Sequence, residues 1–247
     1  MPAVVSVADL YKFFGKGNQQ VTVLREIGFS IEEGQFACIM GPSGSGKSTL
    51  LHMISGLDEP SAGSVTLAGQ EMSRLPSHKR TYLRREQIAY VFQFFNLLPN
   101  LTVEENVGLP LAIQGKRLPA YQQKVHGLLE RFGLAERAGA FPHQLSGGQM
   151  QRVSIARALA GGQPILLCDE PTGNLSQKHG LEVMRTLRRV CDEDKRTVLL
   201  VTHNPRDAAF ADRVLFLVDG ELDKNRELHG PDIPVEAVHE ALAALHI

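Results

Sequence analysis

Short β-branched and aromatic runs crowd the N-terminal stretch from Ala3 to about Met40: AVVSV (3–7), QVTVL (20–24), IGFSI (27–31) and FACIM (36–40), broken by Gly15, Gly17 and Gly34. Runs of that kind between glycines predict strands, here an antiparallel β layer. Beyond residue 41 the pattern changes. IAYVFQ (88–93), PILLCDE (164–170), TVLLVTH (197–203) and RVLFLVDG (213–220) are continuous apolar runs rather than alternating ones. Strands covered on both faces read this way, and the helical stretches between them argue for a parallel sheet in an α/β fold. Residues from about 94 to 141 break the rhythm with Pro99, Pro110 and Pro119, Pro142 following directly, and with a helical stretch at 120–134, which predicts an inserted, mostly helical subdomain. In the tail, Val235, Val238, Leu242 and Leu245 fall at offsets 0, 3, 7 and 10 behind Pro234. That is one face of an amphipathic helix with proline at its first position, expected to dock on its own domain.

Composition narrows the class. The chain has 247 residues, 43% hydrophobic and 21% charged, close to a globular average, which excludes wholesale disorder. A net charge of −1 argues against a nucleic-acid partner. No apolar run reaches the ~18–20 residues of a membrane helix. The N-terminus, MPAVVSVADLYK, lacks the basic start and apolar centre of a signal peptide, so any membrane role is expected to run through a partner. Cys38 and Cys168 sit in apolar runs and Cys191 in a helical pattern, none in a C-x-x-C pair. Buried thiols in a reducing compartment are the expectation. The histidines show no zinc-ligand spacing.

Candidate chemistry begins at GPSGSGKS, residues Gly41, Pro42, Ser43, Gly44, Ser45, Gly46, Lys47 and Ser48, followed by Thr49. It matches G-x-x-x-x-G-K-[ST] between a strand (FACIM) and a helix (STLLHMISGL). Glycines let backbone N–H groups approach phosphate oxygens, and the helix start adds partial positive charge. Lys47 would neutralise β and γ phosphates, and Ser48 would offer its hydroxyl to Mg²⁺. PILLCDE ends in Asp169, a second Mg²⁺ ligand at the edge where open α/β sheets bind ligands, and in Glu170, placed to orient an attacking water. TVLLVTH ends likewise in His203. LSGGQ puts Ser146, Gly147, Gly148 and Gln149 at the start of a further helix, a second anion site. One nucleotide needs one cradle. Two cradles imply two copies of the chain meeting head to tail, with ATP between the P-loop of one and the LSGGQ helix of the other. Small GTPases and P-loop kinases have no need of LSGGQ, and no guanine-reading or acceptor element is found.

GPSGSGKS, Gln93 in YVFQFFN, LSGGQMQR, ILLCDEPTGNL and VTHN occur in that order, and over nearly its whole length the chain resembles the ATP-binding-cassette ATPases. The resemblance implies a P-loop NTPase with a RecA-like core, an antiparallel β layer and a helical subdomain. The division is 1–40 mainly β layer, 41–93 and 150–230 core, about 94–149 helical subdomain and 231–247 the C-terminal helix, in one ATPase domain. It implies that Gln93 contacts Mg²⁺ and senses a transport partner, that Glu170 is the base on water, and that His203 contacts the γ-phosphate. It places an adenine-stacking aromatic at Phe14, with Phe13 and Tyr11 as nearby alternatives. Ser176 stands where the family usually has an Asp that contacts the opposing P-loop; it can still cap the next helix but supplies no charge. Residues 92–116 look like the ATPases of lipoprotein release and macrolide or peptide-antibiotic efflux. That group implies a permease with a large extracytoplasmic domain and, in some systems, a periplasmic adaptor. The ATPase would sit at the cytoplasmic face of the inner membrane, with Phe94, Phe95, Leu97 and Leu98 lining a groove for a permease helix. The alternative is a non-transport ATPase of translation or DNA repair, a class that normally carries two cassettes or a long coiled coil. The cargo is not legible.

Overall fold

The computed structural model describes residues 2–15, 17–115 and 117–245. Lys116, at the end of the 92–116 segment, and residues 246–247 of the tail lie outside the described residues. Strands β1 (Ala3–Phe14) and β2 (Val21–Glu32) pair antiparallel, from Ala3 opposite Glu32 to Phe14 opposite Val21. The runs at 20–24 and 27–31 are one strand, not two. Glu26, at φ 49°, forms an irregularity between them, so that Leu24 faces inward and, three residues on, Ile27 does too, followed by Phe29 and Ile31. An extra residue lets both halves keep their apolar face on one side.

Strand β3 (Phe36–Met40) joins neither of these. It lies inside a sheet with β6 (Ile88–Val91), β7 (Ile165–Asp169), β8 (Thr197–Thr202), β9 (Arg213–Val218) and β10 (Glu221–His229), in the order β10-β9-β3-β8-β7-β6. All neighbours are parallel except β9 with β10. The β layer recruits instead β4 (Ala62–Leu67) against β1 and β5 (Gln70–Glu71) beyond it. The expected boundary at residue 40 is therefore crossed in both directions. The reason is burial: all five residues of β3 are buried, as a central parallel strand requires, whereas β4 alternates toward one covered face.

Helices α1 (Lys47–Ser55), α2 (Ser77–Gln87), α3 (Val103–Ile113), α4 (Leu118–Arg131), α5 (Gly147–Ala160), α6 (Gln177–Asp194), α7 (Pro205–Ala208) and α8 (Val235–Ala244) complete the chain. Alternation along β3 divides the interior. Phe36, Cys38 and Met40 point to the side covered by α3, α5 and α6; Ala37 and Ile39 point to the side of α1 and the β layer. All three cysteines are buried and free. Thr102 and Glu105 start α3 with a reciprocal capping box. In α8, Val238 is fully buried while Ala241, Leu242 and Leu245 rest on the same core. Among the described residues no helix is long and apolar enough to cross a membrane.

Candidate active site

The loop between β3 and α1 approaches its neighbours more closely than side chains would allow. A Cβ on Gly41 would lie 2.0 Å from the Leu217 carbonyl oxygen of β9. Gly46, which begins α1, has φ 102°, a left-handed conformation costly for other residues. Lys47 is buried at the first turn and its ammonium donates to the carbonyls of Gly41 (3.0 Å) and Pro42 (2.8 Å). Burial pulls its pKa down, and the charges of Glu170 and Asp169 pull the other way. Ser45 turns its hydroxyl into the interior, where among the described residues it has no hydrogen-bond partner.

Strand β7 ends with Asp169, and its carboxylate accepts a 2.9 Å hydrogen bond from the Ser48 hydroxyl. Burial raises the Asp169 pKa against the bond from Ser48. Mg²⁺ binds hard oxygens octahedrally at about 2.0–2.1 Å, which puts adjacent ligand oxygens about 2.9 Å apart. The Ser48–Asp169 spacing matches that edge, so these two residues fit the ion. The Tyr90 hydroxyl, on β6, makes a long 3.5 Å contact to the other Asp169 oxygen, and its ring stacks on Phe92 at 4.2 Å. Burial, with Asp169 beside it, pushes the phenol well above its usual range. Tyr90 was hidden from sequence reading as one aromatic within an apolar strand.

Glu170 follows at φ 47°, its N–H bonded to the Val201 carbonyl of β8 at 3.0 Å. Its carboxylate faces two side chains: Oε2 lies 2.6 Å from His203 Nδ1 and Oε1 lies 3.8 Å from Lys47 Nζ. Gly44, Lys47, Ser48, Gln93, Glu170 and His203 line one cleft of about 300 Å³, with Ser43, Gly46 and Thr49 also on its wall. The Gln93 carbonyl is fixed by Asn174 Nδ2 at 2.9 Å. Three strand ends and the glycine loop thus converge as their motifs predict.

LSGGQ does not join them. None of Ser146, Gly147, Gly148 and Gln149 lines the cleft. Ser146 caps α5: its Oγ accepts from Gln149 N–H at 3.3 Å, and Gln149 Oε1 accepts from Ser146 N–H at 2.9 Å. Phe14 also stands apart, 46% exposed at the end of β1 with Lys12 Nζ 5.0 Å from its ring centre. Phe13 and Tyr11 contact each other at 6.0 Å. Ser176 occupies the N-cap position of α6, but its side chain does not cap. Its hydroxyl is hydrogen-bonded with His179 Nδ1 at 3.0 Å instead, which corrects the capping expectation. The FFNLL cluster divides. Phe94 (67%) and Leu98 (44%) are exposed, Leu97 packs on the core, and Phe95 lies half-buried beside Gly147. Arg157 of α5 donates to the carbonyls of Phe95 (2.8 Å) and Asn96 (2.6 Å), pinning the loop after Gln93.

Three residues behind the cleft have no role legible in the sequence, although Gln151 lies within LSGGQMQR and Thr172 within ILLCDEPTGNL. Gln151 Nε2 donates to the Pro171 carbonyl at 2.7 Å. Thr172 donates its hydroxyl to Asp207, both side chains buried. Burial pushes the Asp207 carboxyl up to about 6, the nearby Glu170 charge adding to it, while the Thr172 bond and His203 oppose.

The family described as ABC transporter matches residues 24–173. The chain is 41% identical over 233 residues to the uncharacterized ABC transporter ATP-binding protein MJ0796 of Methanocaldococcus jannaschii, covering 93% of this chain and 99% of that protein. It is 42% identical over 225 residues to the macrolide export ATP-binding/permease protein MacB of Shigella flexneri, covering 91% of this chain but 35% of that one. A solved dimeric structure of MJ0796, in a post-hydrolysis state bound to ADP and Pi, superposes with a TM-score of 0.83 at 40% identity, covering 91% of this chain and 98% of that one.

Proposed function

The chain belongs to the ABC transporter family of ATP-binding proteins, and from that premise we propose how its own residues carry out ATP hydrolysis coupled to transport. The observation that carries the reading is the convergence of Lys47, the Ser48–Asp169 pair and the Glu170–His203 pair on one cleft. Backbone N–H groups of residues 43–49 cradle the phosphates, and Lys47 neutralises them. Ser48, Asp169 and Gln93 would hold Mg²⁺, which would offset the negative charge of the phosphates. Glu170 orients a water for in-line attack on the γ-phosphorus. The new P–O bond forms as the bond to the β–γ bridging oxygen breaks, and the water proton passes to Glu170. Nδ1 of His203, held by Glu170, fixes the ring so that Nε2 meets the γ-phosphate. Phe14, exposed at a strand end, offers a π-face to adenine.

The LSGGQ helix start lies outside this cleft, which supports a head-to-tail pair of copies with each nucleotide between Lys47 of one and Ser146 of the other. The likeness to a protein solved as a dimer points the same way. The likeness to proteins that carry ATP-binding and permease parts in one chain supports a transmembrane permease as second partner. Because this chain spans about a third of such a protein, its permease is a separate chain or region, placed on Phe94 and Leu98. An export or efflux system, with the ATPase at the cytoplasmic face, is the assignment we favour over roles in translation or repair.

Glu170→Gln tests the site. The variant binds ATP but loses ~10²–10⁴ in turnover, as removal of an acid–base group does. With hydrolysis blocked, Mg-ATP converts it from monomer to dimer in size-exclusion chromatography with light scattering. Turnover within threefold of wild type removes Glu170 from its role. A monomer with bound nucleotide at tens of micromolar protein counts against the shared site.

A further inference from the structure

Two side-chain bonds tie the loop after β7 to the loop after β8. One is the Glu170–His203 pair already described. The other lies deeper: Thr172, two residues beyond Glu170, donates to Asp207, four residues beyond His203. Thr172 is 8% and Asp207 4% exposed. Other contacts brace the same two segments. Asn204 caps α7 by accepting from Arg206 N–H at 3.1 Å, and Thr202 Oγ1 accepts from Asn204 N–H at 3.0 Å. Gln151 holds Pro171 between Glu170 and Thr172. A buried carboxylate is costly unless paired, and among the described residues no cation is bonded to this one. An apolar residue in this place would fill space without that cost, but it could not accept the Thr172 proton.

We propose that Asp207 is a positioning residue for ATP hydrolysis: its bond with Thr172 holds the segment after Glu170 against the segment after His203, and so aligns the Glu170–His203 pair on the attacking water. The proposal rests on Glu170 and His203 acting as stated above. The two segments behave as a ladder with two rungs. Cutting the inner rung leaves the glycine loop, Lys47 and the Ser48–Asp169 pair in place but lets the outer pair drift. A displacement near 1 Å costs about 10²-fold in a reaction that depends on alignment. The loss falls on kcat, because neither Thr172 nor Asp207 lines the nucleotide cleft.

The test is steady-state ATPase kinetics of the full chain carrying Asp207→Ala, Asp207→Asn, Thr172→Val, the Asp207→Ala/Thr172→Val pair, or Glu170→Gln, each checked as folded by circular dichroism at the assay temperature. Asp207→Ala and Thr172→Val each lower kcat about 10–100-fold with KM for ATP within twofold of wild type. The double variant is no slower than the worse single, as expected for two ends of one bond. Asp207→Asn, which keeps an acceptor for Thr172, recovers most of the turnover lost in Asp207→Ala. If Asp207→Ala does not fold, Thr172→Val and Asp207→Asn carry the comparison. The inference is overturned by kcat within twofold of wild type in Thr172→Val, by Asp207→Asn as impaired as Asp207→Ala, or by multiplicative losses in the double variant. Glu170→Gln separates the two levels. If it retains turnover, the reading of the site fails; if it is inactive while Thr172→Val is not, only the role of Asp207 fails.

Discussion

Replacing Asp207 by Asn removes one titration from the interior and leaves a group of the same shape. The carboxyl has an ordinary pKa of 3.8 and is pushed up to about 6, so over that range the folded chain holds a proton that the unfolded chain has released. Stability from this group is fully present below 3.8 and is lost as the pH rises through 6. About two units at 1.36 kcal/mol each come to about 3 kcal/mol in all. Roughly half of that falls between pH 5 and pH 8, about 1.4 kcal/mol on the same linkage. The groups that face Asp207 are Glu170 and His203 in the cleft and Cys38 on β3, whose thiol burial and the Asp207 charge both push up. These are common to both proteins. Urea unfolding of wild type and Asp207→Asn at pH 5, 6, 7 and 8 gives two stability curves. Any fixed packing difference between the carboxyl and the amide shifts one curve bodily and cancels from the slope. The variant should gain on wild type by about 1–2 kcal/mol between pH 5 and pH 8. Parallel curves, or a wild type that gains on the variant as pH rises, would show that the carboxylate is not held against its ionisation and refute the reasoning.

Arg157→Leu should cost about 3 kcal/mol in urea unfolding, because two charge-assisted bonds to the Phe95 and Asn96 carbonyls are lost; an unchanged midpoint would contradict their role in holding the loop. Gly41→Ala places a Cβ against the Leu217 carbonyl and should lose about 3 kcal/mol or fail to accumulate as soluble protein, whereas wild-type stability would mean that the loop and β9 can part. Phe94→Ala with Leu98→Ala removes two exposed apolar side chains, so the melting temperature and the ATPase of the isolated chain should hold while co-purification with the permease falls. Loss of stability in that double variant would assign both to internal packing instead.

Much of the site could be read from the chain because its chemistry sits at the ends of apolar strands. A run such as ILLCD or TVLLVT, set between helical stretches, reads as a buried parallel strand, and the polar residue that follows it is delivered to the sheet edge. The same logic did not say which sheet a strand enters. Position in the chain groups FACIM with its neighbours in the β layer, although its unbroken apolar run carries the signature of a strand covered on both faces. Helix α2, SHKRTYLRREQ, buries only Leu83 and shows no apolar period, and β10, ELDKNRELH, carries only Leu222 and Leu228 among polar residues. Both are held by neighbours rather than by their own pattern. The Thr172–Asp207 bond spans 35 residues of sequence between a turn and helix α7, and nothing local to Asp207 marks it. Ser176 shows the converse: the local rule placed the right residue at the cap, and His179 one turn on took its hydroxyl.

The capping box at the head of α5 divides the Ser146 hydroxyl between two tasks. The oxygen is committed to accepting from the Gln149 amide, and the Gln149 side chain is committed in return to the Ser146 amide. An oxygen that accepts one such bond still carries a hydrogen and a second lone pair. The hydrogen is free to donate to a phosphate oxygen. The cap thus holds the hydroxyl in place before two copies meet, and it also restricts how the position can be probed. Ser146→Ala removes donor and cap together, about 1 kcal/mol of helix stability included. Ser146→Thr keeps both and adds only a methyl. Comparing these two, rather than either with wild type, reads what the hydroxyl as a whole, cap and hydrogen together, contributes to joining the copies.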